Sequence, residues 1–285
     1  MSKREKMTSR ELGLEIGAIC GKHLLKLKHL HYGYWTNGLD VDIGNLHTAQ
    51  ENYTNFLISH IPDSVKAILD VGCGTGQTAK KLVDMGYKVD CVSPSAFLAE
   101  QGRSLLGNKS EIFECPYELL ETENRYDVIM FSESFQYVAL EKGLEKTARF
   151  LNDDGYLLIC DVFERGVKGN NVLGGGCRLT RFHELIAHYP FELVTDIDIT
   201  EETAPNLDIM HDMTKNMLGP VLDSGLAFLS TKYPLTLRLL RWKYKKKINK
   251  AYQKYASEGR TSEAFKRFKS YRFFLYRKVC PSINE

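Results

Sequence analysis

The residues whose types and spacing could do chemistry begin with a glycine-rich turn. The sequence Asp-Val-Gly-Cys-Gly-Thr-Gly occupies residues 70–76 and follows an apolar run at 67–69. Glycine accepts backbone conformations that other residues avoid, so a bound molecule can approach the main chain closely at such a turn. The residues after 76 have a helical pattern, and the first N–H groups of a helix are free to bind a ligand. We therefore predict a small-molecule site here; the alternative is a simple strand-to-helix corner.

Polar and aromatic side chains follow two further apolar runs, at 126–131 and 156–160. They are Ser132, Glu133, Gln136, Tyr137 and Asp161. Ligands of open α/β sheets bind outside the carboxyl ends of the strands. We expect these side chains to face the same site as the glycine turn, with packing under the next helix as the alternative for Tyr137 and capping for Asp161.

The elements that must position these residues are short strands alternating with helices. Strands are predicted near 67–71, 87–92, 111–115, 126–132, 156–162, 191–199 and 271–277, and helices near 9–30, 46–60, 76–86, 95–106, 139–151 and 180–188. This alternation indicates βαβ units and a mainly parallel sheet. Residues 205–257 are predicted to be largely helical, with interruptions at Pro220 and Pro234.

The composition excludes several classes of protein. The chain has 285 residues, 43% hydrophobic and 26% charged, which excludes disorder, collagen and small disulfide scaffolds. Its seven cysteines are odd in number and include no Cys-x-x-Cys pair, so we predict reduced thiols and no metal site. The sequence shows neither a signal-peptide pattern nor a run of about 18 apolar residues, so a cytoplasmic protein is expected.

With these motifs in place, the sequence resembles the class I S-adenosylmethionine-dependent methyltransferases. The resemblance rests on the apolar run and Asp-Val-Gly-Cys-Gly-Thr-Gly at 68–76 and spans about 31–163. It implies a Rossmann-like α/β fold with a mainly parallel seven-stranded sheet, an antiparallel last strand and a helical lid insertion. It also implies that Gly72, Cys73, Gly74 and Gly76 contact the cofactor, S-adenosylmethionine, and that Asp70 lies near its ammonium group.

Two positions depart from the usual form of that family. The second strand usually ends in an acid that binds the ribose hydroxyls, whereas this chain has Ser93, followed by Pro94 and Ser95. The adenine contact after the third strand falls near Cys115, again without the usual Asp. A related branch that resembles cyclopropane fatty acid synthases also has a serine after its second strand, so we retain these four residues as cofactor contacts. A non-catalytic cofactor-binding module is the alternative.

The resemblance also assigns roles at the fourth strand. Ser132 and Glu133 are predicted to contact the cofactor, and Gln136, Tyr137 and Asp161 to contact the acceptor. The cyclopropane enzymes have Glu-His where this chain has Gln136 and Tyr137, which favours simple methyl transfer.

An aromatic segment, His31-Tyr32-Gly33-Tyr34-Trp35, resembles the N-terminal cofactor cover of small-molecule and lipid methyltransferases. Electron-rich rings suit a sulfonium cation and exclude water, so Tyr34 and Trp35 are predicted cofactor contacts. The alternative is a hydrophobic staple between helices. His31, Tyr32 and Tyr137 are the candidate general bases, although methyl transfer can proceed by positioning alone.

Positive charge is concentrated near the end of the chain. Residues 238–278 contain fifteen Lys or Arg and only two acids, Glu258 and Glu263. A basic amphipathic helix favours contact with a membrane surface or an anionic ligand; packing on the core is the alternative. Without base-reading motifs, nucleic acid is disfavoured as a partner.

These observations predict four regions. Residues 1–60 form an N-terminal helical cover, 61–200 the cofactor-binding core, 201–268 a helical lid and acceptor region, and 269–285 the last strand and C-terminus. The predicted reaction is methyl transfer from S-adenosylmethionine to a small lipophilic or aromatic acceptor, at an O, N or C atom that the sequence does not specify. A methyltransferase acting on a membrane lipid at the bilayer surface is the alternative.

Overall fold

A computed structural model describes residues 9–169, 171–236, 238–239, 242–246 and 259–279. Its centre is a seven-stranded sheet of β1 (Ala67–Val71), β2 (Lys88–Val92), β3 (Ile112–Phe113), β4 (Tyr126–Ser132), β5 (Leu151–Glu164), β6 (Phe191–Asp198) and β7 (Lys269–Lys278). The spatial order is β3-β2-β1-β4-β5-β7-β6. The first five strands pair in parallel, and β7 runs antiparallel to both β5 and β6. The predicted mainly parallel sheet with an antiparallel last strand is confirmed.

The core lies on both faces of this sheet because successive strand residues point to opposite sides. In β1, Ile68 packs into the cluster on one face and Leu69 into the cluster on the other. Both side chains are fully buried. Strands covered on both faces read as continuous apolar runs rather than alternating ones, which is why the strands were recognisable from the sequence.

The helices largely follow the predicted boundaries. They are α1 (Ser9–His23), α2 (Leu46–Ser59), α3 (Gln77–Asp84), α4 (Ala96–Leu106), α5 (Leu140–Phe150), α6 (Leu179–Ile186), α7 (Thr200–Thr203), α8 (Pro205–Asp212), α9 (Gly219–Lys232) and α10 (Ser262–Phe268). The predicted helix at 9–30 is too long: α1 ends at His23, and Lys26 has a φ of 57°, which an α-helix cannot contain.

The predicted interruption at Pro220 is wrong. The chain is π-helical over Met213–Leu218 and continues directly into α9. Pro220 is the second residue of α9 and has no N–H to donate to the preceding turn, yet the helix continues past it from the π-helical stretch rather than ending there. The helical order breaks instead at Tyr233, just before Pro234. The predicted helical residues 247–257 and Cys280 lie outside the described residues.

The N-terminal strap, residues 29–35, is fastened by two amide side chains, Gln50 of α2, which donates to the His31 carbonyl at 2.7 Å, and Asn206. Asn206, at the start of α8, accepts a hydrogen bond from the Gly33 N–H (2.8 Å) and donates one to the Gly33 carbonyl (2.7 Å). Gly33 packs so closely that an added Cβ would lie 2.5 Å from the Ala49 Cβ in α2. The Tyr34 N–H donates to the Ala49 carbonyl at 2.8 Å. The strap is therefore held between α2 and α8.

Within the described part of the chain, no helix is long and apolar enough to cross a bilayer. The six described cysteines are unpaired; Cys73, Cys91 and Cys160 are buried, whereas Cys20 is exposed. The same residues contain no cluster of His, Cys, Asp or Glu arranged to hold a metal ion.

The Asn206 fastening gives a stability prediction. Asn206→Ala leaves both polar groups of Gly33 buried without partners, and each such loss costs about 1–3 kcal/mol. We expect the free energy of unfolding to fall by about 3 kcal/mol in denaturant titrations. Asn216→Ala is the matched control, because Asn216 is exposed and its side chain bonds Asp212 one turn earlier on the surface. Equal losses in both variants would show that the strap does not depend on Asn206.

Candidate active site

A cavity of about 250 Å³ opens at the carboxyl ends of β1, β2 and β4. The glycine turn, the end of β2, the end of β4 and the strap form its walls. The lining residues are Leu14, His29, Leu30, His31, Asp70, Gly72, Cys73, Gly74, Thr75, Gln77, Thr78, Ser93, Pro94, Ser95, Leu98, Ser132, Glu133, Ser134 and Tyr137. The structure therefore brings most of the predicted site residues into one place.

The glycine turn contributes backbone to this cavity. Gly72, Gly74 and Gly76 have φ values of 81°, 58° and 81°, a region that side chains rarely adopt. A Cβ on Gly72 would lie 2.4 Å from the Ser134 Cβ, so no other residue fits beneath the β4 end. Gly76 instead packs against α4, where an added Cβ would lie 3.3 Å from the Gly102 Cα. Thus Gly72 and Gly74 border the cavity. Gly76 lies behind it, where the absence of a side chain lets the start of α3 pack closely against α4.

Asp70 is the buried acid of the turn. It is 2% exposed, and its Oδ2 has no hydrogen-bond partner among the described residues. Burial raises the pKa of this carboxyl to about 7, because a charge in a poorly solvated place is unfavourable. An unpartnered carboxylate oxygen on the wall of a cavity is suited to a cationic ligand group.

The end of β2 offers hydroxyls and no acid. Ser93 and Ser95 are buried and line the cavity, and the Ser95 side chain caps α4 by accepting from the Leu98 N–H at 3.4 Å. The nearest acid, Asp90, accepts from the Glu111 N–H and the Tyr126 hydroxyl, both at 3.0 Å, and is outside the cavity lining. Cys115 packs against the cluster on the opposite side of the sheet end and does not line the cavity.

Glu133 joins three distant parts of the chain at the cavity wall. Its Oε1 accepts from the Tyr32 N–H and from the Tyr271 hydroxyl, both at 2.7 Å. Desolvation raises the pKa of the Glu133 carboxyl to about 7, although the two hydrogen bonds oppose that shift. Glu133 also has a φ of 54°, a strained conformation for a side chain of this size. Strain and a raised pKa together are typical of functional positions.

The three candidate bases differ in their surroundings. His31 Nδ1 donates to the Tyr32 carbonyl oxygen (2.8 Å), and its Nε2 lies 3.1 Å from Thr54 Oγ1. Burial lowers the pKa of His31 to about 3, and burial raises that of the Tyr32 phenol far above its ordinary value. Tyr137 is 53% exposed at the cavity rim. His31 is therefore a neutral imidazole whose two ring nitrogens are both hydrogen-bonded, and it is not free to act as a base.

Five other predicted site residues lie outside the cavity lining: Tyr32, Tyr34, Trp35, Gln136 and Asp161. Trp35 is buried in a small cluster with Ala49 and Ile209, and Tyr34 stacks on Phe56 with ring centroids 5.1 Å apart.

The predicted acceptor contacts Gln136 and Asp161 bond each other. Gln136 donates through its backbone N–H and its Nε2 to Asp161, at 3.0 and 2.9 Å. Gln136 Oε1 accepts from the Gly176 N–H at 3.1 Å, so this pair fastens the glycine-rich loop that follows β5.

A second cavity of about 400 Å³ lies between α1 and α4 and shares part of its wall with the first. His29, Leu30, Thr75 and Gln77 line both. The remaining lining is apolar and basic, and consists of Ala18, Ile19, Lys22, His23, Leu27, Lys28, Phe97, Gln101, Ser104 and Leu105. Sequence reasoning missed this space, because nothing in the pattern of α1 indicates that it faces α4.

The residues of the first cavity fit a cationic ligand. Its wall carries two carboxyl groups, Asp70 and Glu133, and the described lining includes no Lys or Arg. Its two histidines, His29 and His31, both have pKa values lowered by burial. The sequence predicts Glu133 as a cofactor contact only. The sequence feature that could have indicated a larger role for Glu133 is its position directly after the central strand β4.

Comparisons with known proteins agree with this geometry. Residues 68–155 match the family model described as a methyltransferase domain. The chain is 26% identical over 169 residues to an uncharacterized methyltransferase of Staphylococcus carnosus, an alignment that covers 56% of this chain and 79% of that protein. It is 25% identical over 97 residues to an uncharacterized methyltransferase of Mycobacterium tuberculosis, covering 34% of this chain and 40% of that one.

The fold also matches solved structures. A geranyl diphosphate C-methyltransferase from Streptomyces coelicolor, solved with geranyl diphosphate and S-adenosyl-L-homocysteine, superposes with a TM-score of 0.65 at 16% identity, covering 96% of this chain and 100% of that one. S-adenosylmethionine carries a sulfonium and an ammonium group, which suit the carboxyl groups of Asp70 and Glu133. The glycine turn, the sheet order and these matches lead to one assignment: residues 68–155 form a methyltransferase domain, the chain has the class I methyltransferase fold, and it is a methyltransferase whose cofactor is S-adenosylmethionine.

Proposed function

We propose that this methyltransferase acts on a small lipophilic acceptor whose reacting atom lies by Glu133 and Tyr137 and whose remainder extends into the second cavity. The observation that carries the proposal is the pair of carboxyl groups, buried Asp70 and partly buried Glu133, on a cavity whose described lining has no Lys or Arg. Leu14, Leu30 and Leu98 supply the apolar part of the same lining. When bound, S-adenosylmethionine supplies an electrophilic methyl group on sulfur.

The residues of the chain would divide the work of binding. Asp70 would hold the ammonium group, and Gly72 and Gly74 would let the methionine portion approach the backbone. Ser93 and Ser95 would bond the ribose hydroxyls, more weakly than a carboxylate would. The strap, through Leu30 and His31, would exclude water from the reacting atoms. On this proposal residues 1–60 act as the cover of the site, and the helices between β6 and β7 act as its lid.

Glu133 is proposed as the group that takes up a proton when the acceptor has one to lose. His31 is already bonded through both ring nitrogens, and the raised phenol pKa of Tyr32 makes its phenolate inaccessible near neutral pH. A carboxyl with a pKa near 7 balances availability against basicity at physiological pH. Tyr137, at the rim, would orient the acceptor.

The second cavity supports an acceptor that combines an apolar body with an anionic group. Ile19, Leu27 and Phe97 provide apolar surface, and Lys22 and Lys28 provide positive charge. The superposed Streptomyces coelicolor enzyme was solved with geranyl diphosphate, a molecule of this kind. An acceptor screen that detects S-adenosylhomocysteine should therefore favour isoprenoid diphosphates, long-chain acids and lipophilic phenols. Turnover confined to small polar amines would contradict the proposal.

The glycine turn gives a binding prediction. Gly74→Val forces a β-branched residue into a left-handed conformation on the cavity wall. Calorimetry should show a loss of affinity for S-adenosylmethionine of at least about 100-fold, or about 2.7 kcal/mol. Gly86→Val is the control, because Gly86 has a similarly positive φ of 99° in open space. If Gly74→Val binds as well as Gly86→Val does, the turn is not the cofactor site.

The buried acid gives a proton-linkage prediction. Near pH 6 most Asp70 is protonated in the free protein, so pairing with an ammonium group must release a proton. Calorimetry in two buffers of different ionisation enthalpy should reveal this release at pH 6 and its disappearance by about pH 9. Asp70→Asn should lose the part of the release that belongs to Asp70. If Asp70→Asn released as many protons as the wild type does, Asp70 would not be the residue that binds the ammonium group.

The raised pKa of Asp70 also determines how the stability of the free protein changes with pH. The folded pKa of Asp70 lies above the unfolded value, so ionisation destabilises the free protein increasingly from about pH 4 to about pH 7 and by a constant amount above that. Asp70→Asn should therefore raise the free energy of unfolding more at pH 8 than at pH 4.

The proton-acceptor role of Glu133 predicts a pH profile. With any acceptor that loses a proton, kcat should rise tenfold per pH unit below pH 7 and level above it. Glu133→Gln keeps an oxygen for Tyr32 and Tyr271 and should lower kcat about 100-fold or more while removing the rise. Glu100→Gln, an exposed acid on α4, should behave as wild type. A Glu133→Gln profile that still rises through pH 7 would exclude the role.

A further inference from the structure

The helices between β6 and β7 present a long apolar surface to solvent. No residue of α9 is buried. Large apolar side chains are exposed along α9 and the helical residues that follow it: Val221, Leu222, Phe228, Leu229, Leu235, Leu239 and Trp242. Exposed apolar surface of this extent marks a place where something else binds. We call residues 221–246 of the described chain the docking surface.

The apolar side chains of the docking surface are grouped rather than scattered. With 3.6 residues per turn, Val221, Leu222 and Phe228 fall on one half of α9, and Asp223 and Ser230 fall on the other. After the break at Tyr233, Leu235, Leu239 and Trp242 are spaced by four and three residues, which again defines one stripe. Trp242 is 79% exposed and Leu235 77% exposed.

Charge around the docking surface is strongly positive. Between residues 213 and 246 the sequence has seven Lys or Arg and one acid, Asp223. Lys243 and Lys245 flank the stripe that contains Trp242, Lys246 lies one turn beyond Trp242 along it, and all three are exposed. Long basic side chains next to an apolar stripe can lay their stems on the apolar surface and keep their charges at its edge.

The later part of the basic region is used differently. Its cations pair with carboxylates of the folded core: Lys266 with Glu201, Lys269 with Glu164, Arg272 with Asp196 and Asp198, Arg277 with Glu192, and Lys278 with Asp153. These residues therefore stabilise β7 and its surroundings. Among the described residues, Lys243, Lys245 and Lys246 instead lie on the exposed helical segment next to the docking surface.

We propose that the docking surface binds the face of an anionic lipid bilayer, with Trp242 and the leucines in the boundary between headgroups and acyl chains. Charge complementarity favours this occupant, since a second copy would bring two strongly basic faces together. Basic side chains beside Trp and Leu on a helix are the pattern of interfacial membrane helices. This contact does not depend on the methyl-transfer chemistry, but it would bring the site to a lipophilic acceptor.

Flotation of the full-length protein with vesicles tests the proposal. Vesicles of 30% phosphatidylglycerol in phosphatidylcholine should bind the protein, pure phosphatidylcholine should bind it weakly, and salt should reverse the binding. Changing Lys243, Lys245 and Lys246 together to Gln should weaken binding about 100-fold. The control changes Lys88, Lys109 and Lys142 to Gln, which are exposed elsewhere, and should leave binding unchanged. Equal losses of vesicle binding in both triple variants would contradict the proposal that the docking surface binds the bilayer.

The two tryptophans of the chain provide a second readout. Trp35 is 6% exposed and Trp242 is 79% exposed, so brominated lipids in the anionic vesicles should quench Trp242. Leu239→Ala with Trp242→Ala should abolish flotation, whereas Leu119→Ala, at another exposed leucine, should not. S-adenosylmethionine binding measured on each variant shows that it is folded. Absence of quenching, or a dimer in light scattering that the double variant dissociates, would overturn the proposal in favour of a second copy.

Discussion

The carboxylate of Glu133 is the junction on which the site depends. It follows the central strand β4, accepts a hydrogen bond from the strap at Tyr32, and accepts another from β7 at Tyr271. These partners are 101 and 138 residues away in sequence. The strained backbone of Glu133 directs its side chain toward both of them. Among the described residues, this junction supplies the polar bond between the strap and the end of β4, and Glu133 itself forms part of the cavity wall.

The site carries a stability cost that its ligand can offset. Asp70 and Glu133 are held in a cavity whose described lining supplies no Lys or Arg, and burial raises both of their pKa values to about 7. In the free protein near neutral pH, each group is therefore partly protonated. A ligand with two positive centres favours the ionised form of both, so part of the free energy of ionisation is recovered only on binding. The two carboxyl groups of the cavity thus favour a positively charged ligand, whatever specific hydrogen bonds the ligand also makes.

Local signals were sufficient for the sheet and the glycine turn. Asp70 and the three glycines are neighbours in sequence, and the strand-to-helix transition around them is encoded within about ten residues. The contacts that assemble the site are of another kind. Asn206 bonds Gly33 across 173 residues, and no spacing in the sequence indicates that pair. Gln136 and Asp161 have the residue types of acceptor contacts, yet they satisfy each other, because a polar side chain at a strand end does not reveal its partner.

The bond between Asn206 and Gly33 has a consequence for the order of events at the site. Asn206 begins α8, among the helices that precede β7, whereas Gly33 lies two residues from His31 on the cavity wall. A movement of α8 would therefore act on the strap, and through the strap on the wall of the cofactor cavity at His31. A bound cofactor that contacts the strap would restrain α8 in turn. The helices before β7 would then become restrained only once the methyl donor is in place.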